Sequence, residues 1–136
     1  MKAKRLLSAI LAVAIVLGTM SFTVLADGNW IDSANTEWYK DTVSEFEISS
    51  AEELAGLAQL VNEGNNFKGK TITLTSDIKL DGKEWTPIGG LKTFAGTFDG
   101  GENTISNLYI NKGLENSALN NNVGLFGKTE SGAVIK

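Results

Sequence analysis

The sequence Gly96-Thr97-Phe98-Asp99-Gly100 decides the predicted fold, because its pattern returns 28 residues later as Gly124-Leu125-Phe126-Gly127. Each copy is followed by a short run of β-branched or apolar residues, residues 104–108 after the first copy and residues 133–135 after the second. A pattern that recurs at such a spacing is typical of chains that stack similar units, each burying its apolar face against its neighbours. The sequence therefore predicts a repetitive architecture.

Short segments with strand character surround these copies. Residues 71–75 alternate strictly between threonine and an aliphatic residue, and turns rich in Gly, Asp and Asn separate further apolar pieces as far as residue 135. This spacing predicts an all-β body. A sandwich or a meander would also contain short strands, but neither needs a recurring Gly-x-Phe. We therefore predict a parallel β-helix, with Gly and Asn at its corners.

One helix is predicted, over residues 50–63. Ser50 can serve as its N-cap with Glu53 closing a capping box, and Ser49 with Glu52 is an equally possible register. An apolar stripe follows at helical spacing, formed by Leu54, Leu57, Ala58 and Val61. We expect this helix to cover the N-terminal end of the stack and to hide its strand edges from solvent.

The chain is predicted to contain three segments. Residues 1–26 have a basic start, an uncharged apolar run and small residues at the end, which is the layout of a signal peptide. A retained membrane anchor is the alternative, but the apolar run is shorter than the ~20 residues that span a bilayer. Residues 27–45 are predicted as an irregular leader, and residues 46–136 as the cap helix and first coils of a β-helix that continues beyond Lys136.

Composition excludes several classes of function. The net charge is −4, and removal of residues 1–26, with three of the 12 basic and none of the 16 acidic residues, would leave −7. We expect no nucleic-acid partner and no electrostatic adhesion to anionic lipid, because phosphates and anionic lipids select basic surfaces. We also expect no membrane insertion of the mature chain. The chain has no histidine and no cysteine, which excludes a Ser-His-Asp triad, a His-Glu-x-x-His zinc site and a cysteine nucleophile.

Residues 94–101, 105–108 and 123–127 resemble the repeats of bacterial surface proteins that carry the GLUG motif, and the motif itself looks like Gly124-Leu125-Phe126-Gly127. The resemblance covers about residues 46–136 and includes the helix and strands that open such proteins. It implies a right-handed β-helix that is secreted or attached to the cell surface. Proteins of this kind include adhesins and non-catalytic regions of immunoglobulin A peptidases, so the resemblance supplies no catalytic residue.

Carboxylates near turns form the first candidate site. They are Asp77, Asp81, Asp99 and Glu102. Their oxygens could bind calcium, but the spacing matches neither an EF-hand nor a calcium-binding nonapeptide, and turn geometry alone selects Asp-Gly. Asp99 with Glu102 is also the one close pair that could hydrolyse a glycoside, although exposed turn carboxylates are the favoured interpretation. We assign no metal and no cofactor.

Aromatic side chains form the second candidate site, a platform that would stack on sugar rings. The candidates are Trp30, Trp38, Tyr39, Trp85 and Tyr109. Trp85 is favoured as a packed residue, and Trp38-Tyr39 is the more plausible exposed pair. The phenylalanines at repeat positions, Phe94, Phe98 and Phe126, are predicted to lie in the core.

These features together predict a non-enzymatic, extracellular or cell-surface module. It would be an adhesin-like scaffold that presents a binding surface to an unidentified extracellular ligand, either a host glycan or a protein. No catalytic, cofactor-binding or metal-binding residue is assigned. The alternative is the N-terminal, non-catalytic part of a larger secreted carbohydrate-active enzyme or peptidase.

Overall fold

The computed structural model describes residues 28–111 and 122–136. The predicted signal peptide, residues 1–26, lies outside these ranges. No helix within them is long and apolar enough to cross a membrane. A 3₁₀ helix, Trp30–Ser33, lies in the predicted leader, and the side chain of Asn29 caps its N-terminus.

Six short strands lie in the described ranges. They are β1 (Glu45–Ile48), β2 (Thr71–Leu74), β3 (Ile78–Lys79), β4 (Thr97–Asp99), β5 (Ile105–Ser106) and β6 (Val134–Ile135). One sheet has the order β1-β2-β4-β6, the other pairs β3 with β5, and all of these pairs are parallel. Glu45 pairs with Thr71 and Thr71 with Thr97, so a step of 26 residues separates the first three strands of the larger sheet.

The helix predicted over residues 50–63 is confirmed as α1 (Ala51–Asn62). Ser50 Oγ accepts a hydrogen bond from the N–H of Glu53 at 3.2 Å, while the Glu53 carboxylate accepts one from the N–H of Ser49 at 2.7 Å. The two serines therefore share the capping interactions of one helix N-terminus. The apolar stripe is buried and comprises Ala51, Leu54, Ala55, Leu57, Ala58 and Val61.

Ser50→Ala is expected to lower the free energy of unfolding by about 1 kcal/mol, because the N–H of Glu53 loses its acceptor. Urea unfolding followed by far-UV circular dichroism measures this change. The matched control is Ser49→Ala, which keeps that acceptor and should change stability by no more than about 0.5 kcal/mol. Equal losses in the two variants would contradict the assignment of Ser50 as N-cap.

The prediction of an all-β, right-handed parallel β-helix is wrong. The described residues have mixed α/β structure, with a four-stranded parallel sheet, a two-stranded sheet and one α-helix. The helix α1 joins β1 to its sheet neighbour β2 as the crossover that a parallel pair requires. Several pieces predicted as strands form only single bridges, such as Ile88 with Phe126, because glycine-rich turns interrupt the pairing.

The two Gly-x-Phe copies are not stacked on each other. Phe98 lies in β4 opposite Ile72, whereas Phe126 bridges to Ile88. The two phenylalanine rings still meet edge to face, with centroids 5.2 Å apart. The 28-residue spacing in the sequence is therefore not the structural step between paired strands.

One core joins the helix to the larger sheet. Phe46, Ile72 and Phe98 lie in register on the buried face of the sheet. They belong to the same cluster as the apolar stripe of α1 and the buried side chains of Trp85 and Phe94. Because the core covers one face of this sheet, the other face is left to solvent.

Candidate functional site

The acidic candidates Asp77 and Asp81 bind chain segments 27 and 26 residues farther along, and the candidates do not converge on a metal site. The Asp77 carboxylate accepts a hydrogen bond from the N–H of Thr104 at 2.7 Å, and the Asp81 carboxylate accepts one from the side-chain amide of Asn107. Within residues 28–111 and 122–136, no three acidic residues are grouped so that they could hold a metal ion. The calcium hypothesis therefore receives no support from the described residues.

Asp99 is also unsuited to act as a general acid with Glu102. Its carboxylate accepts a hydrogen bond from the N–H of Gly101 at 3.0 Å and lies 3.3 Å from the Lys136 ammonium. The bond from Gly101, and then the lysine, lower the pKa of Asp99 below its ordinary value. A carboxylic acid that protonates a leaving group needs a raised pKa, and Asp99 has the opposite.

Because the pKa of Asp99 is lowered in the folded chain, the free energy of unfolding depends on pH. Above the ordinary aspartate pKa of about 3.9 the ionised carboxylate stabilises the folded chain, and this contribution is lost as pH falls through the lower folded value. We expect the parent chain to be more stable than Asp99→Asn at neutral pH, and the difference to shrink below about pH 4. Urea unfolding across that range measures it. A difference that is independent of pH would contradict the pairing.

The aromatic candidates form no exposed platform. Trp30 and Trp85 are buried, the second as predicted, and Phe94 and Phe98 lie in the core as predicted. Phe126 is only partly buried. Tyr109 is exposed, with 46% of its surface accessible, and it belongs to none of the aromatic ring pairs among the described residues. The buried rings of Trp30 and Trp85 therefore cannot stack on a sugar, which argues against the sugar-stacking hypothesis.

Trp38 and Tyr39 pack against the core, so the prediction of an exposed pair is wrong. Their ring centroids lie 5.3 and 5.4 Å from that of Phe46. Burial, and then a hydrogen bond to Asp41, raise the pKa of Tyr39, which keeps its hydroxyl protonated. This segment therefore extends the core alongside β1.

Lys70 fixes the chain that leads into β1. Its ammonium donates hydrogen bonds to the carbonyl oxygens of Asp41 at 2.9 Å and Val43 at 2.5 Å. It also lies 5.5 Å from the ring centroids of Tyr39 and Phe46, within the range of a cation–π contact. No local sequence pattern indicates this role, because its partners lie 27 and 29 residues earlier.

On the solvent side of the larger sheet, β1, β2 and β4 form a continuous polar surface, and β6 places the exposed apolar side chain of Val134 beside it. The outward side chains of this polar surface alternate with core residues and are Glu45, Glu47, Thr71, Thr73, Thr97 and Asp99, which we call the polar sheet face. The two glutamates are exposed and the other four side chains are partly buried. Alternation in the sequence indicated each strand separately, but only the pairing register places these side chains next to one another.

A groove of about 500 Å³ lies on the polar sheet face. It is lined by Glu45, Phe46, Glu47, Thr71 and Thr73. Carboxylates accept hydrogen bonds and attract cations, while threonine hydroxyls both donate and accept. The volume is in the range of known ligand sites, which run from about 300 to 1,000 Å³. The groove can therefore hold polar or positively charged groups of a partner.

Comparison with protein-family models, with curated proteins and with solved structures finds no match. The resemblance of residues 46–136 to GLUG-motif surface proteins therefore stays a prediction, and so does the secreted or cell-surface location.

Proposed function

We propose that this chain is a non-enzymatic, adhesin-like module of the cell exterior that binds a partner through the polar sheet face. The observation that carries the proposal is the alignment of six outward polar side chains on three adjacent strands, with a groove beside the two glutamates. Such groups recognise a partner by charge and hydrogen bonding. The whole chain contains no histidine and no cysteine, which supports a binding role over a catalytic one. The signal-peptide layout of residues 1–26 supports a location outside the cell.

The location is tested by expressing the full chain in a secretion-competent bacterial host. We expect the extracellular fraction to contain a product whose N-terminal residue is Asp27, because the layout predicts cleavage after Ala26. N-terminal sequencing and mass spectrometry identify the product. A chain that keeps Met1 and stays in the cytoplasm would contradict an exterior role.

The binding surface is tested with beads coated with the purified chain and applied to cultured epithelial monolayers. We expect the double variant Glu45→Lys/Glu47→Lys to reduce bead retention at least about fivefold, because it reverses the charge of the groove. The matched control is Glu37→Lys/Glu63→Lys, which makes the same change of net charge at two exposed positions away from the groove. Equal losses in both variants would mean that net charge, and not this face, governs adhesion.

A further inference from the structure

We infer that the free edge of β1 binds an extended segment of another protein that carries lysine or arginine at two alternate positions. The inference rests on the proposed function, because it names the class of partner for the polar sheet face. It depends on three features of the larger sheet: the direction of the backbone groups of β1, the placement of the two carboxylates of β1, and an acid–lysine pair at the opposite side of the sheet.

The first feature is the unpaired backbone edge of β1. This strand pairs with β2 alone, and the carbonyl oxygens of Ser44 and Ile48 accept hydrogen bonds from the chain segment of β2 at 2.8 and 3.0 Å. Alternate residues thus turn their backbone groups toward β2, and Glu45 and Glu47 turn theirs away. Within the described residues no backbone hydrogen bond reaches those outward groups. An open edge of this kind accepts an added strand.

The second feature is the placement of charge along that edge. Glu45 and Glu47 are both exposed and stand on the same face, because side chains two residues apart in a strand share a face. An added strand would place its own alternate side chains opposite these two carboxylates. Like charges there would repel, whereas lysine or arginine would pair with them.

The third feature is a pair of the same kind at the opposite side of the sheet. The N–H of Lys136 donates to the carbonyl oxygen of Phe98 at 3.0 Å, which sets Lys136 beside Asp99 in parallel register with β4. Its ammonium lies 3.3 Å from the Asp99 carboxylate. Asp99 pairs with Thr73, and Thr73 with Glu47, so the acid–lysine pair shares its row with Glu47. A lysine on a neighbouring strand therefore reaches a carboxylate on this face.

The test uses two fluorescent peptides of identical composition and the full chain. Fluorescein is attached to the N-terminus of each peptide through a glycine: fluorescein-Gly-Thr-Lys-Val-Lys-Val-Thr-amide has alternate lysines, and fluorescein-Gly-Lys-Lys-Thr-Val-Val-Thr-amide has adjacent ones. We expect the alternating peptide to bind at least about fivefold more tightly in fluorescence anisotropy at low ionic strength, since only it can form both pairs while extended. Bound peptide should also slow the hydrogen exchange of the Glu45 and Glu47 amides in NMR spectra.

Two variants assign the binding to β1. Glu45→Gln/Glu47→Gln keeps the size of both side chains and should lower the affinity for the alternating peptide to that of the adjacent one. Glu37→Gln/Glu63→Gln makes the same change of charge elsewhere and should leave the affinity unchanged. Circular dichroism establishes that both variants fold.

Several results would overturn the inference. They are equal affinity for the two peptides, unchanged exchange of the Glu45 and Glu47 amides, and loss of binding in the control variant. Self-association of the chain in sedimentation, with protection of the Glu45 and Glu47 amides that added peptide does not change, would also overturn it, because a second copy would then occupy β1. If bead adhesion still depends on Glu45 and Glu47 while the peptides fail to bind, the proposed function stands and only the class of partner is wrong.

Discussion

Gly56→Ala is expected to destabilise the protein by about 3 kcal/mol, although alanine at an ordinary helix position stabilises by about 1 kcal/mol relative to glycine. Gly56 lies in the middle of α1. A Cβ atom added there would lie 1.9 Å from the carbonyl oxygen of Asn35 and 2.6 Å from its carbonyl carbon. The obstacle is backbone, so it cannot move aside as the end of a flexible side chain could.

Asn35 is held against α1 by its own hydrogen bonds. Its N–H donates to the carbonyl oxygen of Glu52 at 2.8 Å, and its side-chain oxygen accepts from the N–H of Glu37 at 2.9 Å. The indole nitrogen of Trp38 is also within 3.2 Å of the added Cβ position. Room for alanine therefore requires the segment that carries Trp38 to leave the helix, with loss of these contacts.

Urea unfolding followed by circular dichroism measures the cost of Gly56→Ala. The matched control is Gly64→Ala, where an added Cβ meets nothing within 4 Å but the backbone has a φ of +115°. The control should cost about 1 kcal/mol through backbone strain alone. A Gly56→Ala protein as stable as the parent would contradict the close approach of Asn35 to the helix.

The sequence was sufficient where the determinants are local. The serine cap, the first-turn glutamates and the apolar stripe all lie within residues 49–63, so the helix could be predicted to within a residue of its ends. The close approach at Gly56 could not be predicted, because the backbone that selects glycine belongs to Asn35, 21 residues earlier. The partners of Asp77 and Asp81 could not be predicted either, because their carboxylates accept hydrogen bonds from Thr104 and Asn107, 27 and 26 residues later.

The prediction of the fold class was wrong because the fold class depends on which segments pair with each other along the chain. Alternation in residues 71–75 indicated a strand, but nothing local states that β2 pairs with β1 across a helix. Treating the helix as an end cap left only strands, and hence an all-β prediction. The polar sheet face could not be predicted for the same reason. The neighbours of Glu45 and Glu47 on this face are threonines that lie 26 residues later in the chain and are brought beside them by strand pairing.

Phe67→Ala is expected to lower the free energy of unfolding by about 3–5 kcal/mol. Phe67 is 1% exposed and its ring contacts four other rings. The centroid distances are 6.1 Å to Trp38, 5.2 Å to Tyr39, 6.2 Å to Phe46 and 6.4 Å to Phe94. These rings come from the leader, β1 and the segment before β4, so one side chain holds three parts of the chain together. A cost below about 1 kcal/mol in urea unfolding would contradict this role.

The backbone of Phe67 allows a sharper comparison at the same position. Its φ is +58°, in the left-handed region, and its carbonyl oxygen accepts a hydrogen bond from the N–H of Lys70 at 2.9 Å. Alanine is strained in this conformation and glycine is not. The Phe67→Gly protein should therefore equal the Phe67→Ala protein in stability or exceed it by up to about 1 kcal/mol. In a helix or strand the order of stability is the opposite, because glycine there is less stable than alanine. If Phe67→Ala proved more stable than Phe67→Gly, loss of the ring would still explain the destabilisation of both variants. The left-handed backbone conformation at residue 67 would then be contradicted.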